Sequence, residues 1–348
     1  MSKVVVALSG GVDSSVSAAL LKQQGYDVVG LTLRLWTDPA HPPVSDSVTA
    51  ARLTAERLDI PLQVVDIAET FHREIVQFFL DEYGRGVTPN PCVRCNRLVK
   101  WGVLLEQALA LGADYLATGH YARKRVTADG RQELLRAVDH SKDQTYVLHV
   151  LTQARLERAI FPVGEYSKTE IRAMAQNFGL PAATRSDSQD LCFLAGEDYR
   201  DFIRRNAPQI AHPGPMVSPA GKTLGEHQGL AYYTIGQRKG LGIASPVPLY
   251  VLAKDAATNT LIVGDVSELG STLLTARDVN WIAGAAPAGP LRLQVKTRYT
   301  ARQAWALVTP LVDGRVEVLF DSPQRDITAG QAAVFYADEI VLGGGLIQ

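Results

Sequence analysis

Cysteine is nearly absent from this chain: Cys92, Cys95 and Cys192 are all it has in 348 residues. So small and odd a number excludes a secreted disulfide scaffold and leaves thiols that a reducing cytosol would keep free for chemistry or metal. No apolar run approaches the roughly 18 residues that cross a bilayer as a helix. The one short run, in MSKVVVALSGG, lacks the length and cleavage pattern of a signal peptide. A cytoplasmic protein with no membrane partner is therefore expected. Excess charge is lacking as well: 35 Lys and Arg against 36 Asp and Glu leave a net charge of -1. A nucleic acid, if one binds, must find a local basic patch rather than a basic coat. Internal repeats and low-complexity tracts are absent. What is present is an ordinary globular composition, 46% hydrophobic and 20% charged. The length suggests two or three domains.

The first part alternates strand and helix signals. Val4 to Leu8 is a β-branched apolar run suited to a strand buried on both faces. Ser14 to Gln24 carries Val16, Ala19, Leu20 and Leu21 at helical spacing and stops at Gly25. Strand signals recur at 28–35, 62–65 and 115–118, and helix signals at 49–58, 71–83 and 104–111. This rhythm predicts βαβ units and an α/β fold with a parallel sheet. After about residue 200 the rhythm changes. Prolines break up 208–219, a Gly-rich stretch follows, and beyond Asn280 short strands alternate with turns. The expected organisation is a parallel-sheet nucleotide domain over 1–200, a small linking domain over 201–275 and a C-terminal β-barrel over 276–348. The run Gly343-Gly344-Gly345 reads as a turn.

Between the first strand and first helix lies Ser9-Gly10-Gly11-Val12-Asp13-Ser14-Ser15. Two glycines let the backbone turn sharply and bring its N–H groups close to a ligand. The helix N-terminus adds unpaired donors and partial positive charge. Asp13 is suited to hold magnesium or to cap the helix. The spacing is neither that of a Walker A loop nor G-x-G-x-x-G. The string resembles the PP-loop of the N-type ATP pyrophosphatases, which implies transfer of AMP with release of pyrophosphate.

Cys92 and Cys95 form a C-x-x-C pair in Thr88-Pro89-Asn90-Pro91-Cys92-Val93-Arg94-Cys95-Asn96, and Cys192 follows in Ser188-Gln189-Asp190-Leu191-Cys192-Phe193. Buried structural cysteines, a zinc site completed by a fourth ligand and a redox pair are each compatible with the spacing alone.

Taken in order, the phosphate loop, the PNPCVRCN loop and the SQDLCF segment closely resemble the tRNA-specific 2-thiouridylases. Further matching segments are Ala117 to Tyr121, Lys142 to Tyr146, Pro162 to Gly164, Tyr232 to Gly240 and Lys296 to Tyr299, so the likeness runs nearly the whole chain. It implies ATP-dependent 2-thiolation of the wobble uridine, by adenylylation of the uracil oxygen followed by sulfur transfer. It implies that Ala7, Leu8, Ser9, Gly10, Gly11, Val12, Asp13 and Ser14 hold ATP with Mg2+, and that Leu33 and Gly119 contact the adenosine. Asn90, Pro91 and Cys92 would meet the target base. His120, Lys142, Asp143, Gln144, Arg298, Tyr299 and Gln331 would meet tRNA. Cys95 would be the catalytic cysteine and Cys192 the carrier of persulfide sulfur, supplied by a donor protein, either a cysteine desulfurase or a sulfur relay protein. Many relatives have Asp where this chain has Cys92. Three thiols match the ligand count of an iron–sulfur cluster with one open iron, so Cys92, Cys95 and Cys192 are also candidate cluster ligands. Persulfide and cluster chemistry stay open at this point. So do a PP-loop amidating ligase and an RNA-binding or zinc-stabilised adaptor without catalysis.

Overall fold

The structure, a computed structural model, describes residues 1–42, 46–185, 191–325 and 327–348. Its first seven strands are β1 (Lys3–Ala7), β2 (Asp27–Arg34), β3 (Leu62–Asp66), β4 (Tyr115–Ala117), β5 (Ala122–Val126), β6 (Gln132–Arg136) and β7 (Ala159–Ile160). Five of them make a sheet in the order β3-β2-β1-β4-β7, every pair parallel. The run Val4-Val5-Val6 supplies the central strand because both its faces are covered, and all three side chains are fully buried. Helix α1 (Val12–Gln23) follows the Gly10-Gly11 turn and buries Val16, Ala18, Leu20 and Leu21. Helix α2 (Ser47–Leu58) starts at Asp46, whose carboxylate accepts from the N–H groups of Val48 and Thr49. The carboxyl ends of β1, β2 and β4 thus open on one side of the sheet, where open α/β sheets place ligands.

The weakly patterned middle contains four strands, β8 (Gly214–Val217), β9 (Thr223–His227), β10 (Tyr250–Asp255) and β11 (Thr260–Gly264), ordered β10-β11-β8-β9. Met216, Val251, Leu261 and Val263 pack with Phe71, Phe79, Phe193 and Phe202, so this unit shares its core with the first. The last six strands are β12 (Ser271–Trp281), β13 (Leu291–Lys296), β14 (Ala304–Pro310), β15 (Val316–Gln324), β16 (Ala332–Ala337) and β17 (Ile340–Ile347). They run β12-β15-β14-β13-β16-β17, and β12 also pairs with β17, which closes a barrel. The strand that opens the barrel begins at Ser271, inside the stretch expected to be linker.

Two expectations are corrected. The Gly343-Gly344-Gly345 run is not a turn but part of β17. A Cβ at Gly343 would stand 2.1 Å from the Asn280 carbonyl oxygen and one at Gly344 2.6 Å from that of Ala333, so the glycines allow strands to close at that point. The helices expected over 71–83 and 104–111 belong to longer stretches interrupted by π-turns at His72–Gln77 and Asn96–Val103.

The barrel is joined firmly to the nucleotide domain. Hairpin β5–β6 adds to the barrel edge through β6, with Ile340 opposite Leu135 and Val341 opposite Leu134. One core runs from Val5 and Leu31 of the parallel sheet through Trp101 and Tyr146 to Val334 and Tyr336 of the barrel. Each large side chain buried in this way contributes about 1.5–3 kcal/mol. Tyr146 adds a reciprocal pair of hydrogen bonds, its hydroxyl donating to the Ala332 carbonyl (3.0 Å) and accepting from the Ala332 N–H (3.1 Å). No described helix is long and apolar enough to cross a membrane.

Candidate active site

At the mouth of the parallel sheet is a cavity of about 660 Å³. Its walls include Ala7, Leu8, Ser9, Gly11, Val12, Asp13 and Ser14 from the β1–α1 loop, Leu33 from β2, and Gly119 and His120 beyond β4. That volume is ordinary for a nucleotide-sized ligand. Gly10 alone among the loop residues is turned away, buried at φ +75°, where a Cβ would meet the Ala50 Cβ at 2.5 Å. Its carbonyl accepts from the Arg185 guanidinium (2.7 Å), which pins the turn. Gly119 is needed for a different reason: a Cβ there would lie 2.7 Å from the Ser14 backbone nitrogen. The loop and the end of β4 are therefore in direct backbone approach. Ser14 and Ser15 hydroxyls donate to the Gly11 carbonyl (3.1 and 2.8 Å), and the Ser9 and Ser14 hydroxyls stand 3.2 Å apart, so the loop is shaped before any ligand arrives.

Asp13 is answered by a residue the sequence did not flag. The Lys168 ammonium donates to both its oxygens (2.7 and 2.9 Å), and the Tyr121 hydroxyl donates to one (2.9 Å). Lys168 follows Ser167, the cap of Lys168–Asn177, whose hydroxyl accepts from the Glu170 N–H while Glu170 returns to the Ser167 N–H. This capping box, legible as S-x-x-E, was the available clue to a rigid lysine. Asp13 is the carboxylate at the phosphate end of the cavity that would hold magnesium, an ion that takes one or two protein carboxylates and completes its shell with phosphate oxygens and water.

The cysteine pair comes from the segment below the barrel. Asn90 caps Pro91–Cys95 by accepting from the Val93 N–H (3.1 Å), and Pro91 stands at the first helical position, where its missing N–H costs nothing. The chain then enters the π-turn Asn96–Val103. In a π-turn an N–H reaches five residues back, which places Lys100 one such turn on from Cys95 along the chain. Lys100 lines the nucleotide cavity, and its ammonium lies 3.1 Å from His120 Nε2, while His120 Nδ1 lies 2.8 Å from the Thr118 hydroxyl. With the ammonium as donor, the imidazole accepts at Nε2 and carries its proton at Nδ1. Burial, helped by the Lys100 charge, holds His120 well below the ordinary histidine range, so it stays neutral.

All three cysteines are unbonded, with Cys92 and Cys192 open to solvent and Cys95 half-buried. Burial by the surrounding protein raises each thiol: Cys95 to about 11 and Cys192 to about 12. The thiols also raise one another, Cys92 acting on Cys95 and both acting on Cys192, while the Lys100 charge opposes the shift in all three. They therefore share one electrostatic neighbourhood. Among the described residues, no group of three His, Cys, Asp or Glu side chains is arranged to hold one metal ion. Of the SQDLCF segment, Ser188, Gln189 and Asp190 lie outside the described residues.

The residues expected at tRNA divide into two groups. His120, Lys142, Gln144 and Tyr299 line the nucleotide cavity itself. Tyr299 is 42% exposed, comes from the barrel, and has its hydroxyl raised by burial and by the charges of Asp143 and Cys92. The second group makes hydrogen bonds within the protein. Asp143, expected to touch RNA, is instead buried, accepting from the Thr145 hydroxyl (2.8 Å) with Arg136 at 3.5 Å. Gln331 donates to the Thr88 and Pro89 carbonyls (2.9 and 3.1 Å) and so holds the loop before Asn90. Arg298 ties the barrel to the middle unit through the Ile235 carbonyl (2.9 Å) and also donates to the Thr328 hydroxyl within the barrel.

Comparison with known proteins finds relatives along the whole chain. Residues 2–196 match the family described as tRNA methyl transferase HUP domain, 200–265 the tRNA methyl transferase PRC-barrel domain and 271–347 the aminomethyltransferase beta-barrel domain. The tRNA-specific 2-thiouridylase MnmA of Moorella thermoacetica is 46% identical, with 99% of each chain covered. That of Magnetococcus marinus is 48% identical, over 99% of this chain and 98% of its own. Among solved structures, a 4-thiouridine synthetase–RNA complex with bound ATP aligns with a TM-score of 0.37 and 17% identity, over 60% of this chain and 51% of that one. On the full-length likeness, the chain belongs to the tRNA-specific 2-thiouridylase family, whose members are tRNA sulfurtransferases.

Proposed function

We propose that this protein uses ATP to adenylylate the C2 oxygen of the wobble uridine of tRNA and then replaces that oxygen with sulfur. The observation that carries the reading is the junction of a phosphate loop and a thiol cleft: Lys100 and Tyr299 line the nucleotide cavity and also act electrostatically on, or respond to, the cysteines. The names of the full-length relatives support the same substrate. A carbonyl oxygen is a poor leaving group, whereas AMP is a good one. The uracil oxygen attacks the α-phosphorus, the bond to pyrophosphate breaks, and the N3 proton is lost. The loop N–H groups, the α1 N-terminus and the lysines receive the charge on pyrophosphate. Magnesium, when bound at Asp13, would supply further charge neutralisation there.

Sulfur transfer follows through persulfide. Cys192, open to solvent, receives sulfane sulfur from a persulfide-bearing donor protein, a cysteine desulfurase or a sulfur relay protein. The terminal sulfur attacks C2 and AMP leaves with the bonding pair. Cys95 thiolate then attacks Cys192 Sγ, the sulfur–sulfur bond breaks, and the sulfur stays on the base as thiocarbonyl. Two thiols are oxidised to a disulfide, sulfane sulfur is reduced, and an external dithiol resets the pair. The base must leave its stack to reach the cleft, and the rest of the tRNA is gripped through phosphates and shape. A cytosolic setting, where thiols stay reduced, suits this cycle.

The test is nucleoside mass spectrometry after incubation with ATP, magnesium, sulfide or a persulfide donor, and unmodified tRNA. 2-Thiouridine at the wobble position, with AMP and pyrophosphate formed in step with it, is the expected result. Release of ADP would refute the reading.

A further inference from the structure

Two lysines on the wall of the nucleotide cavity differ in one respect. Lys168 is neutralised by both oxygens of Asp13. Lys100 faces no carboxylate within ion-pair distance among the described residues; its one hydrogen-bond partner is the imidazole of His120, 3.1 Å away. That imidazole is itself fixed by Thr118 (2.8 Å) and is only 4% exposed. A half-buried ammonium turned to a neutral acceptor keeps its full charge for a ligand. Its position is also distinctive. It lines the cavity that the phosphate loop also lines, it follows Cys95 by one π-turn along the chain, and its charge acts on Cys92, Cys95 and Cys192, so it is shared by the nucleotide cavity and the surroundings of the thiols. In the proposed reaction the group that must occupy that place is the α-phosphate, bonded first to pyrophosphate and then to the uracil oxygen.

We infer that Lys100 is a catalytic residue that binds the α-phosphate through both transfers, with His120 as the positioning residue that aims it. The inference rests on the adenylylation reading above. In the first transfer the phosphorus gains the uracil oxygen and loses pyrophosphate, which leaves with the electron pair. In the second, sulfur bonds to C2, the C2–O bond breaks, and AMP departs with the pair, so one more negative charge develops on the phosphate that Lys100 touches. A cation aimed at charge that grows in the transition state accelerates the reaction more than it tightens ground-state binding.

The experiment compares wild type, Lys100→Met, Lys100→Arg and His120→Ala with ATP, magnesium, unmodified tRNA and a persulfide donor. It measures equilibrium ATP binding, the rate of AMP formation and the yield of 2-thiouridine. Lys100→Met is expected to keep ATP affinity within about threefold and to lose about 100-fold or more in AMP formation, the size of loss seen when one preorganised oxyanion donor is removed. Lys100→Arg should recover at least about tenfold of that loss by restoring the charge. His120→Ala should fall between the two, lowering kcat with little change in KM for ATP. AMP formation within about threefold of wild type in Lys100→Met overturns the inference. A loss of ATP affinity in parallel with rate also overturns it, because Lys100 would then be a ground-state contact. Should Lys100→Met fail to melt cooperatively, Lys100→Gln carries the same comparison. Wild-type protein that forms no AMP with tRNA would instead sink the adenylylation reading, a result separate from an indifferent Lys100.

Discussion

At the scale of single residues, the site rests on partners far apart in sequence. Lys168 meets Asp13 across 155 positions and fixes the carboxylate that faces the phosphates. Replacing it with Met leaves a half-buried carboxylate with the Tyr121 hydroxyl alone. About 1–2 kcal/mol of stability should be lost, and ATP turnover should fall by about 100-fold, read by thermal melts and AMP formation. A melt unchanged from wild type would show that the pair contributes nothing to the loop. Cys95 allows a sharper test of order. In the persulfide route, Cys95→Ser still permits attack on C2 and release of AMP, but the sulfur–sulfur bond to Cys192 is never cut. Gel electrophoresis without reductant should therefore reveal a covalent protein–tRNA adduct, which dithiothreitol releases. Absence of that adduct while AMP still forms would remove Cys192 as the carrier. These roles were only partly legible in the sequence. SGGVDS announced the phosphate loop because strand, glycine turn and helix N-terminus are contiguous. Lys168 was not read because its partner lies across the fold, and the burial of Asp143 was not read because sequence spacing does not reveal burial.

At the scale of elements, what matters is how closely backbones approach. The β4 end and the phosphate loop touch at Gly119, where a Cβ would lie 2.7 Å from the Ser14 nitrogen and 2.8 Å from the Asp13 carbonyl carbon. Backbone cannot yield as a side-chain tip can, so Gly119→Ala should displace the loop. We expect ATP affinity to drop about tenfold or more, by equilibrium binding, with far-ultraviolet dichroism unchanged; equal affinity would mean the loop shifts without harm. The parallel sheet was readable because β1 is a run of valines buried on both faces, and the barrel strands because turns punctuate alternating residues. The π-turn at Asn96–Val103 was not, since periodicity over eight residues does not separate 3.6 from a wider turn, yet that turn carries Lys100, which lines the nucleotide cavity. The glycines of β17 were read as a turn because local propensity knows nothing of a barrel closing against Asn280.

At the scale of the whole molecule, the cleft exists only while the barrel stays docked, since Tyr299 and Thr300 reach the nucleotide cavity from the barrel side. His149 lies at that joint. Its backbone carbonyl accepts from the Asn280 side chain (2.7 Å), its Nδ1–H donates to the Tyr146 carbonyl (2.7 Å), and a Cβ on Gly344 would meet its ring at 2.9 Å. Burial, opposed by the Tyr146 bond and aided by the Arg97 charge, lowers His149 from 6.5 to about 4. Above pH 6.5 the imidazole is neutral in both folded and unfolded chains, and its contribution to stability is constant. Between 6.5 and about 4 the unfolded chain binds a proton that the folded chain refuses, so stability falls as pH falls. The full loss is on the order of 3 kcal/mol from this group, and His120, shifted the same way, adds to it. Denaturant midpoints measured from pH 7 to 4.5 should decline, with thiolation declining in the same window as the barrel loosens. Carboxylates contribute to any acid decline, so the decisive comparison is with His149→Gln, whose amide keeps a donor for Tyr146 and does not titrate. That variant should start less stable at pH 7 and lose less on acidification. Parallel curves for the two proteins would show that the joint between barrel and nucleotide domain is not what acid opens.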